Sequence, residues 1–573
     1  MLTETICGMM CLTLLLMLLL PNAALTTAPL PLLFVDYTTL KSVDKKLKLK
    51  VHPPVKGPLV ISPNKPWESW AVFAYNHVLE IPQEFRGTDA TSSSRFRLYY
   101  DCIEGNGLPP GSSISSNSIS KRRICLAVSN NGLQWTKPEL GIFNRNGTHG
   151  QGWSTNNNIL LEDSGVSVFI DRSPAAVLHK TPFKMVTSQG AYESDDGIYW
   201  YKLPFKPTSP DDTKPTAYWD SKRQKYVISV RRDLQPDWYR TIGRCVTTNL
   251  SDWQSELGVN KTGCPVVFEL DENDPTCHNR TNCTGGMDIY TNAWTPYPND
   301  LNPVVHFFFP SMYYHFGPRF PFGFSNDGLL DIRLLVSRDG EHLYYVPDDR
   351  GGGSGGSGVG FRSPFVSLGM NECGATAPGI LNGWCSPTSG IESKTTFDTS
   401  AMYMASGHLL SPDGNFIYLY SSGQPFTHGG DSSNQTWGRN TGLRVLTLRK
   451  DGFVSIDAPY YFRGGQNNTL YPTMVTVDVS VPFLECHPNS TLSVSLNFVT
   501  SVVGFVAVGI EQNGFELKGY ELEQCNRMKG NSINGTASWG KNTGSVFSLV
   551  GERVAFRIAL ADASLYSVEF TCA

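Results

Sequence analysis

Charge is scarce in this chain. Only 17% of the 573 residues are Asp, Glu, Lys or Arg, and the formal net charge is −4, which argues against a surface for polyanions and against nucleic acid as a partner. Helical periodicity is nearly missing too, because apolar residues rarely recur at three- and four-residue spacing. No glycine-rich phosphate cradle, no Gly-x-Ser-x-Gly elbow and no His-Glu-x-x-His helix occurs, so nucleotide, esterase and zinc-protease readings have no support. The cysteines form no CxxC pairs and no histidines stand at zinc spacing, which speaks against a metal cluster. Neither a metal nor a cofactor is expected. Beyond residue 20 no stretch is long and apolar enough to cross a bilayer.

What is abundant is turn chemistry between short apolar runs. The chain is 40% hydrophobic and 12% aromatic, with 54 glycines and 37 prolines, a composition that fits an all-β protein of many short strands. Five segments share one pattern: Ser129-Asn-Asn-Gly132-Leu-Gln-Trp135, Ser194-Asp-Asp-Gly197-Ile-Tyr-Trp200, Thr248-Asn-Leu-Ser-Asp-Trp253, Ser337-Arg-Asp-Gly340-Glu-His-Leu343 and Arg449-Lys-Asp-Gly452-Phe-Val. Asn-Gly and Asp-Gly supply the positive φ angles of two-residue hairpins. A strand-rich unit recurring at roughly 50 to 110 residues is too long for a solenoid and predicts the blade of a propeller. Five copies predict five blades.

The first residues point to export. An apolar run over 7–20, followed by Ala23-Ala24, has the length of a secretory signal, here 1–24; Glu4 replaces the usual basic flank, and an uncleaved anchor is the alternative. Eleven of the 13 cysteines lie beyond it, most as sequence neighbours: Cys102 and Cys125, Cys245 and Cys264, Cys277 and Cys283, Cys373 and Cys385, Cys486 and Cys525, with Cys572 left over. Such usage fits an oxidising compartment, although spacing does not fix the pairing. Nine Asn-x-Ser/Thr sequons, at Asn146, Asn249, Asn260, Asn279, Asn282, Asn434, Asn467, Asn489 and Asn534, complete the picture of a secreted, extracellular glycoprotein.

The blades are expected to occupy 33–462, and an alternating pattern after Gly465 predicts a β-sandwich over 465–573. The run Gly351-Gly-Gly-Ser-Gly-Gly-Ser-Gly358 reads as a flexible loop by composition. Inner strands of a propeller converge on a funnel, so residues at its mouth meet although distant in sequence. Acids just before inner strands are therefore the catalytic candidates: Glu68, Asp212 and Asp288. Second strands run back to the same mouth and are expected to deliver Arg231, Arg232, Tyr313 and His315, with His428 nearby and Asn292 on an inner strand. Trp67, Trp70, Trp153 and Tyr290 are candidates for stacking on sugar faces. Asp171 and Asp220 fall in turns at the far end, where a structural role is expected. Paired carboxyls with an arginine suit glycosidic cleavage, one protonating the leaving oxygen and another attacking the sugar or activating water. The acidic loop Glu269-Leu-Asp271-Glu272-Asn-Asp274 does not have EF-hand spacing, and solvated charge is its expected state.

With its blade pattern and acidic mouth, the chain resembles glycoside hydrolase family 32 and related five-bladed propellers that carry a β-sandwich after the propeller. The resemblance runs from about Leu33 and rests on Leu33-Phe-Val-Asp-Tyr37, Asp212-Thr213, Asp288-Ile-Tyr-Thr-Asn-Ala293, Asp327-Gly-Leu-Leu-Asp331 and Leu448-Arg-Lys-Asp-Gly-Phe-Val-Ser455. It implies a retaining mechanism with a nucleophile at the first inner strand, a transition-state-stabilising aspartate and an acid/base. Trp67-Glu68 stands at the first position in place of the family's Asn-Asp-Pro-Asn-Gly, and the Arg-Asp-Pro and Glu-Cys motifs are not recognisable. Asp212 and Asp288 take the other two roles by blade position. A carbohydrate-cleaving secreted protein is the leading expectation; a sugar-binding propeller without turnover and an extracellular interaction protein are the alternatives.

Overall fold

The computed structural model describes residues 30–105, 121–143, 155–204, 214–234, 239–252, 264–276, 286–315, 328–347, 360–369, 397–425, 427–428, 441–458, 474–481, 491–540, 546–547 and 554–572. The leader 1–24, Trp153, Asp212 and Cys277, Cys283, Cys373, Cys385 and Cys486 lie outside them. The described chain is nearly all β, and its one described α-helix is the six-residue Pro174–His179, capped by the Ser173 hydroxyl, which accepts from the Ala176 N–H at 3.1 Å. No described helix is long and apolar enough to cross a membrane.

Five antiparallel meanders follow one another. The first comprises Ala71–Val72 with His77–Glu80, then Phe96–Glu104, Lys121–Ser129 and Ile159–Leu161. Ser167–Ile170, Phe183–Val186, Ala191–Ser194 and Tyr201–Lys202 form the second, and Thr216–Asp220, Lys225–Leu234, Tyr239–Thr247 and Val266–Phe268 the third. The fourth pairs Met287–Tyr297, Val305–His315 and the strands Gly328–Ile332 and Leu335–Ser337; the fifth pairs Ala401–Met404, Phe416–Gln424 and Gly442–Arg449. A single parallel pairing, Leu330 with Ala401, links the last two. The outer strand of the fifth meander is Val55–Ile61, from the opposite end of the chain.

Apolar clusters join each meander to the next. Tyr99 and Leu126 meet Val168 and Met185, Phe169 and Val186 meet Trp219 and Ile228, and Tyr218 and Val227 meet Ile289 and Trp294. Phe307 and Phe309 meet Met402 and Leu419. The last contact returns to the start, with Leu443 and Val445 against Val72 and Leu98. Each such buried Leu or Phe side chain is worth about 1.5–3 kcal/mol, so the cycle of contacts is held by its own cores.

The repeated turns are tighter clamps than the two-residue hairpins expected. Gly132, Gly197 and Gly340 have φ of 75°, 73° and 72°, whereas the preceding Asn131, Asp196 and Asp339 do not have positive φ, and a type I′ turn requires both. Instead the Ser129, Ser194 and Ser337 hydroxyls accept the glycine N–H at 2.9, 2.8 and 2.9 Å. The Asn131, Asp196 and Asp339 side chains accept the next two N–H groups. Neighbouring meanders dock on these turns: Tyr99 donates to the Gly197 carbonyl at 2.9 Å and Tyr420 to that of Gly132 at 2.6 Å.

The C-terminal sheet starts earlier and reaches further back than the division at 465 anticipated. Leu32–Leu33, Leu40–Val43, Lys48–Val51 and Val454–Ala458 all belong to it, together with Val475–Val481, Thr491–Gln512 and Val554–Cys572. Short runs at 32–51 carry no sign in sequence of which distant partner they will pair with. The two long strands bulge between Thr500 and Phe505, and Val494, Leu496 and Phe498 before the bulge share one core with Phe505, Val508 and Ile510 after it. Disulfides join Cys102 to Cys125 and Cys245 to Cys264. Spanning 23 and 19 residues, each constrains the unfolded chain by about 3 kcal/mol. Cys525 is a buried thiol.

Candidate active site

Register fixes which side chains meet. The start of an inner strand lies opposite the far end of the next strand in Ala71 with Ile103, Met287 with Tyr314 and Ala401 with Gln424, while Thr216 meets Ser229 at mid-strand. Residues just beyond these pairings sit at one end of the meanders. At the other end Glu80, Phe169, Tyr218, Pro296 and Leu410, one from each meander, line a single cavity of about 350 Å³.

Asp288 opens the inner strand of the fourth meander, paired with Tyr313, and is 2% exposed. Both its oxygens accept from Arg240 Nη1, at 3.4 and 3.1 Å, and His315 Nε2 stands 3.2 Å from Oδ1, close enough for an ion pair though outside hydrogen-bond geometry. Arg240 comes from the third meander, so the pair bridges two sheets. A bulge between Ile289 and Thr291 breaks the alternation at Tyr290 and leaves its ring half-buried beside the pair. The guanidiniums of Arg231 and Arg240 lie 5.8 and 5.5 Å from the Tyr290 ring, and His428 lies 4.7 Å from it. Tyr313, 4.8 Å from His428 and 4.2 Å from His315, closes the group. Tyr290, Tyr313, His315, His428 and Arg231 therefore gather around Asp288.

Residues not singled out in the sequence extend this group. Tyr403 is 5.9 Å from Tyr290 and 6.0 Å from Tyr75, and burial pushes both Tyr75 and Tyr403 well above the ordinary phenol range, so both stay neutral. Asp101, fully buried in the first meander, accepts the Gly165 N–H at 3.2 Å. Burial is the main cause that pushes its carboxyl up to about 7, with Arg122, the Gly165 N–H and Lys214 opposing and Asp163 adding to the rise. Lys214, 2% exposed, donates to the Asn76 carbonyl; burial lowers it to about 7 against the pull of Asp101. A carboxyl half-protonated near neutrality is suited to proton donation, and Asp288 with its arginine to meeting positive charge.

Other expected site residues sit elsewhere. Glu68 is fully buried and shares no described partner with Asp288. Its carboxylate accepts from Lys137 Nζ at 2.6 Å, Tyr100 at 2.7 Å and the N–H groups of Asn64 and Lys65 at 3.0 and 3.1 Å. Four donors on one carboxylate make it the cap of the turn Pro66–Glu68 and the counter-ion of Lys137, a structural place and not a mouth position. Trp67 is part of the core between the fifth and first meanders, its indole donating to Asn158 at 2.8 Å, so its ring is no open platform. Arg232 falls on the opposite face of its strand from Arg231, beside Gly243, as strand alternation requires. Asn292 is buried deeper, its amide 3.4 Å from Ser229 Oγ. Asp171 and Asp220 hold turns, accepting from Ser173 and Tyr226 and from Lys222 and Arg223. Asp271 and Asp274 are ion-paired with Arg362, and among the described residues no group of acids, histidines and cysteines could hold a metal ion.

No family model matches the chain, and no curated protein matches it. Among solved structures, an N-acetylgalactosamine deacetylase from F. plautii in complex with blood group B trisaccharide is similar over 71% of this chain and 97% of its own, with 13% identity and a TM-score of 0.36. A glycoside hydrolase family 43 arabinoxylan arabinofuranohydrolase from Bacillus subtilis gives 89% and 98% coverage, 10% identity and 0.30. A thermostable family-43 glycoside hydrolase gives 73% and 100%, 11% and 0.33.

Proposed function

We propose that the protein is a secreted, extracellular glycoside hydrolase-like protein, a five-bladed β-propeller followed by a β-sandwich, that cleaves a glycosidic bond with carboxyl groups at the propeller mouth. The observation that carries this reading is the Asp288–Arg240 pair beside the half-buried ring of Tyr290, a charged group next to a face on which a sugar can stack. The cyclic packing of the five meanders supports the propeller, since a closed ring brings these strand ends together. Asp101 joins the proposed carboxyls as a proton donor, because burial raises its pKa to about 7, while Glu68, placed at the nucleophile position by the resemblance, is closed in by Lys137, Tyr100 and two backbone N–H groups. Asp212 is the third candidate, two residues before Lys214. The relation to glycoside hydrolase family 32 belongs to this proposal, with Asp101 on the second strand of the first meander. Two disulfides and the exposed sequon residues Asn249 and Asn534 support an extracellular place.

Carbohydrate binding without turnover is the second reading, and it draws on the near-complete burial of Asp101 and Asp288. The test is incubation of the purified protein with plant, algal and animal oligosaccharides, with products followed by chromatography. Released sugar from the wild type and none from Asp288→Asn supports hydrolysis. Binding without release supports the second reading, and neither binding nor release removes both.

A further inference from the structure

Among the described residues, two cations near Asp101 have no ion pair. Arg240 is paired with Asp288, and Arg231 with Asp233 at 3.2 Å. Arg122 and Lys214 remain, and Asp101 is the described carboxylate that acts on both. Arg122 stands opposite Ile103 in the first meander, and Ile103 packs with Tyr75, Tyr313 and Tyr403, so strand pairing puts the Arg122 side chain on the face that carries those rings. Asp101, two residues before Ile103 on the same strand, shares that face. Arg122 is exposed, and among the described residues it has no ion pair or hydrogen bond, its electrostatic neighbours being Asp101, Tyr75 and Tyr403.

Two buried groups repeat the theme. Lys214 is 2% exposed, yet no described carboxylate lies within ion-pair distance; its ammonium has only the Asn76 carbonyl. Arg240 is 3% exposed, and among the described residues its Nε–H has no acceptor. Burying a cation or a donor without a partner is costly, and an incoming anion would relieve that cost.

We propose that the mouth is specific for acidic glycans, with a carboxylate or sulfate substituent of the sugar seated on Arg122. This inference rests on the carbohydrate reading above and names its substrate class. An exposed guanidinium beside tyrosine rings is suited to it, because the planar fork pairs bidentately with oxyanions while the rings take the sugar face. Uronic acids and sulfate esters present the same chemistry, and separate ligand series distinguish them.

The experiment is calorimetric titration of the full chain with oligogalacturonate and its carboxyl-reduced form, and with a sulfated galactan oligosaccharide and its desulfated form. Arg122→Gln and Arg122→Lys are measured beside the wild type, with melting temperatures as a folding control. The wild type is expected to bind at least one acidic ligand about ten- to a hundredfold more tightly than its neutral counterpart, as one charge-assisted contact provides. The series showing the preference identifies the substituent. Arg122→Gln is expected to lose that preference and keep the neutral affinity, with Arg122→Lys between. Neutral ligands binding as tightly as acidic ones overturn this inference and leave the carbohydrate reading standing. A preference that survives Arg122→Gln overturns the assignment to Arg122, and a protein that binds no sugar at all overturns both readings.

Discussion

Glu68 and Asp288 hold the same place in sequence, an acid at the start of a meander, and opposite places in the molecule. Glu68 is closed in by Lys137, by Tyr100 of the first meander and by the backbone N–H groups of Asn64 and Lys65. Asp288 is paired across a sheet boundary with Arg240 and lies beside a ring with a half-open face. The difference lies in where the counter-charge comes from. Glu68 fixes a turn through its near neighbours Asn64 and Lys65, whereas Asp288 ties two sheets together through Arg240.

The comparison breaks most sharply at the two acids themselves. Asp288→Asn is expected to lower turnover by about 10²–10⁴-fold, the range of a lost acid or base, measured as initial rates of sugar release. Glu68→Gln is expected instead to destabilise the fold by about 3–5 kcal/mol, because it leaves Lys137 buried without a counter-ion, while the folded fraction keeps its kcat. Urea unfolding beside single-turnover rates checks both; a Glu68→Gln protein of native stability and no activity would return Glu68 to the catalytic set.

A smaller effect is expected at Asp101 and Lys214. With its pKa raised from 3.8 to about 7, Asp101 keeps a proton that the unfolded chain loses, so its contribution to stability is full below pH 3.8 and falls as pH rises to about 7. Lys214, lowered from 10.5 to about 7, acts in the opposite sense, and stability rises between about pH 7 and 10.5. Relative to the wild type, Asp101→Asn should remove the acidic limb and Lys214→Met the alkaline one in melting curves against pH. Unchanged limbs would show that neither group is buried as described. Smallest is the contrast between neighbouring arginines: Arg231→Gln should raise KM about tenfold through its lost charged contact, and Arg232→Gln, on the other face, should leave it within about twofold.

Much of the architecture was legible because local chemistry spells it out. Ser129, Ser194 and Ser337 with their glycines mark repeated turns, and the disulfides join cysteines that are neighbours in sequence, Cys102 with Cys125 and Cys245 with Cys264, a pairing that spacing alone left open. Asp288 is legible as an acid at the start of a predicted inner strand. Asp101 is not, because Phe96–Glu104 is buried at all nine positions; a strand covered on both faces has no alternation against which an acid is visible. Glu68 misled because a turn-capping acid and a mouth acid read alike until the donors around them are known. Val55–Ile61 and Lys48–Val51 pair with strands some 400 residues away, and nothing in a short apolar run names so distant a partner.

The most direct measurement is a structure of the protein with a bound oligosaccharide. The account predicts a sugar ring against Tyr290, with one of its oxygens within hydrogen-bond distance of Asp288 or Arg240. An oligosaccharide seated in the opposite cavity between Tyr218 and Leu410, with the Asp288 region empty, would contradict it.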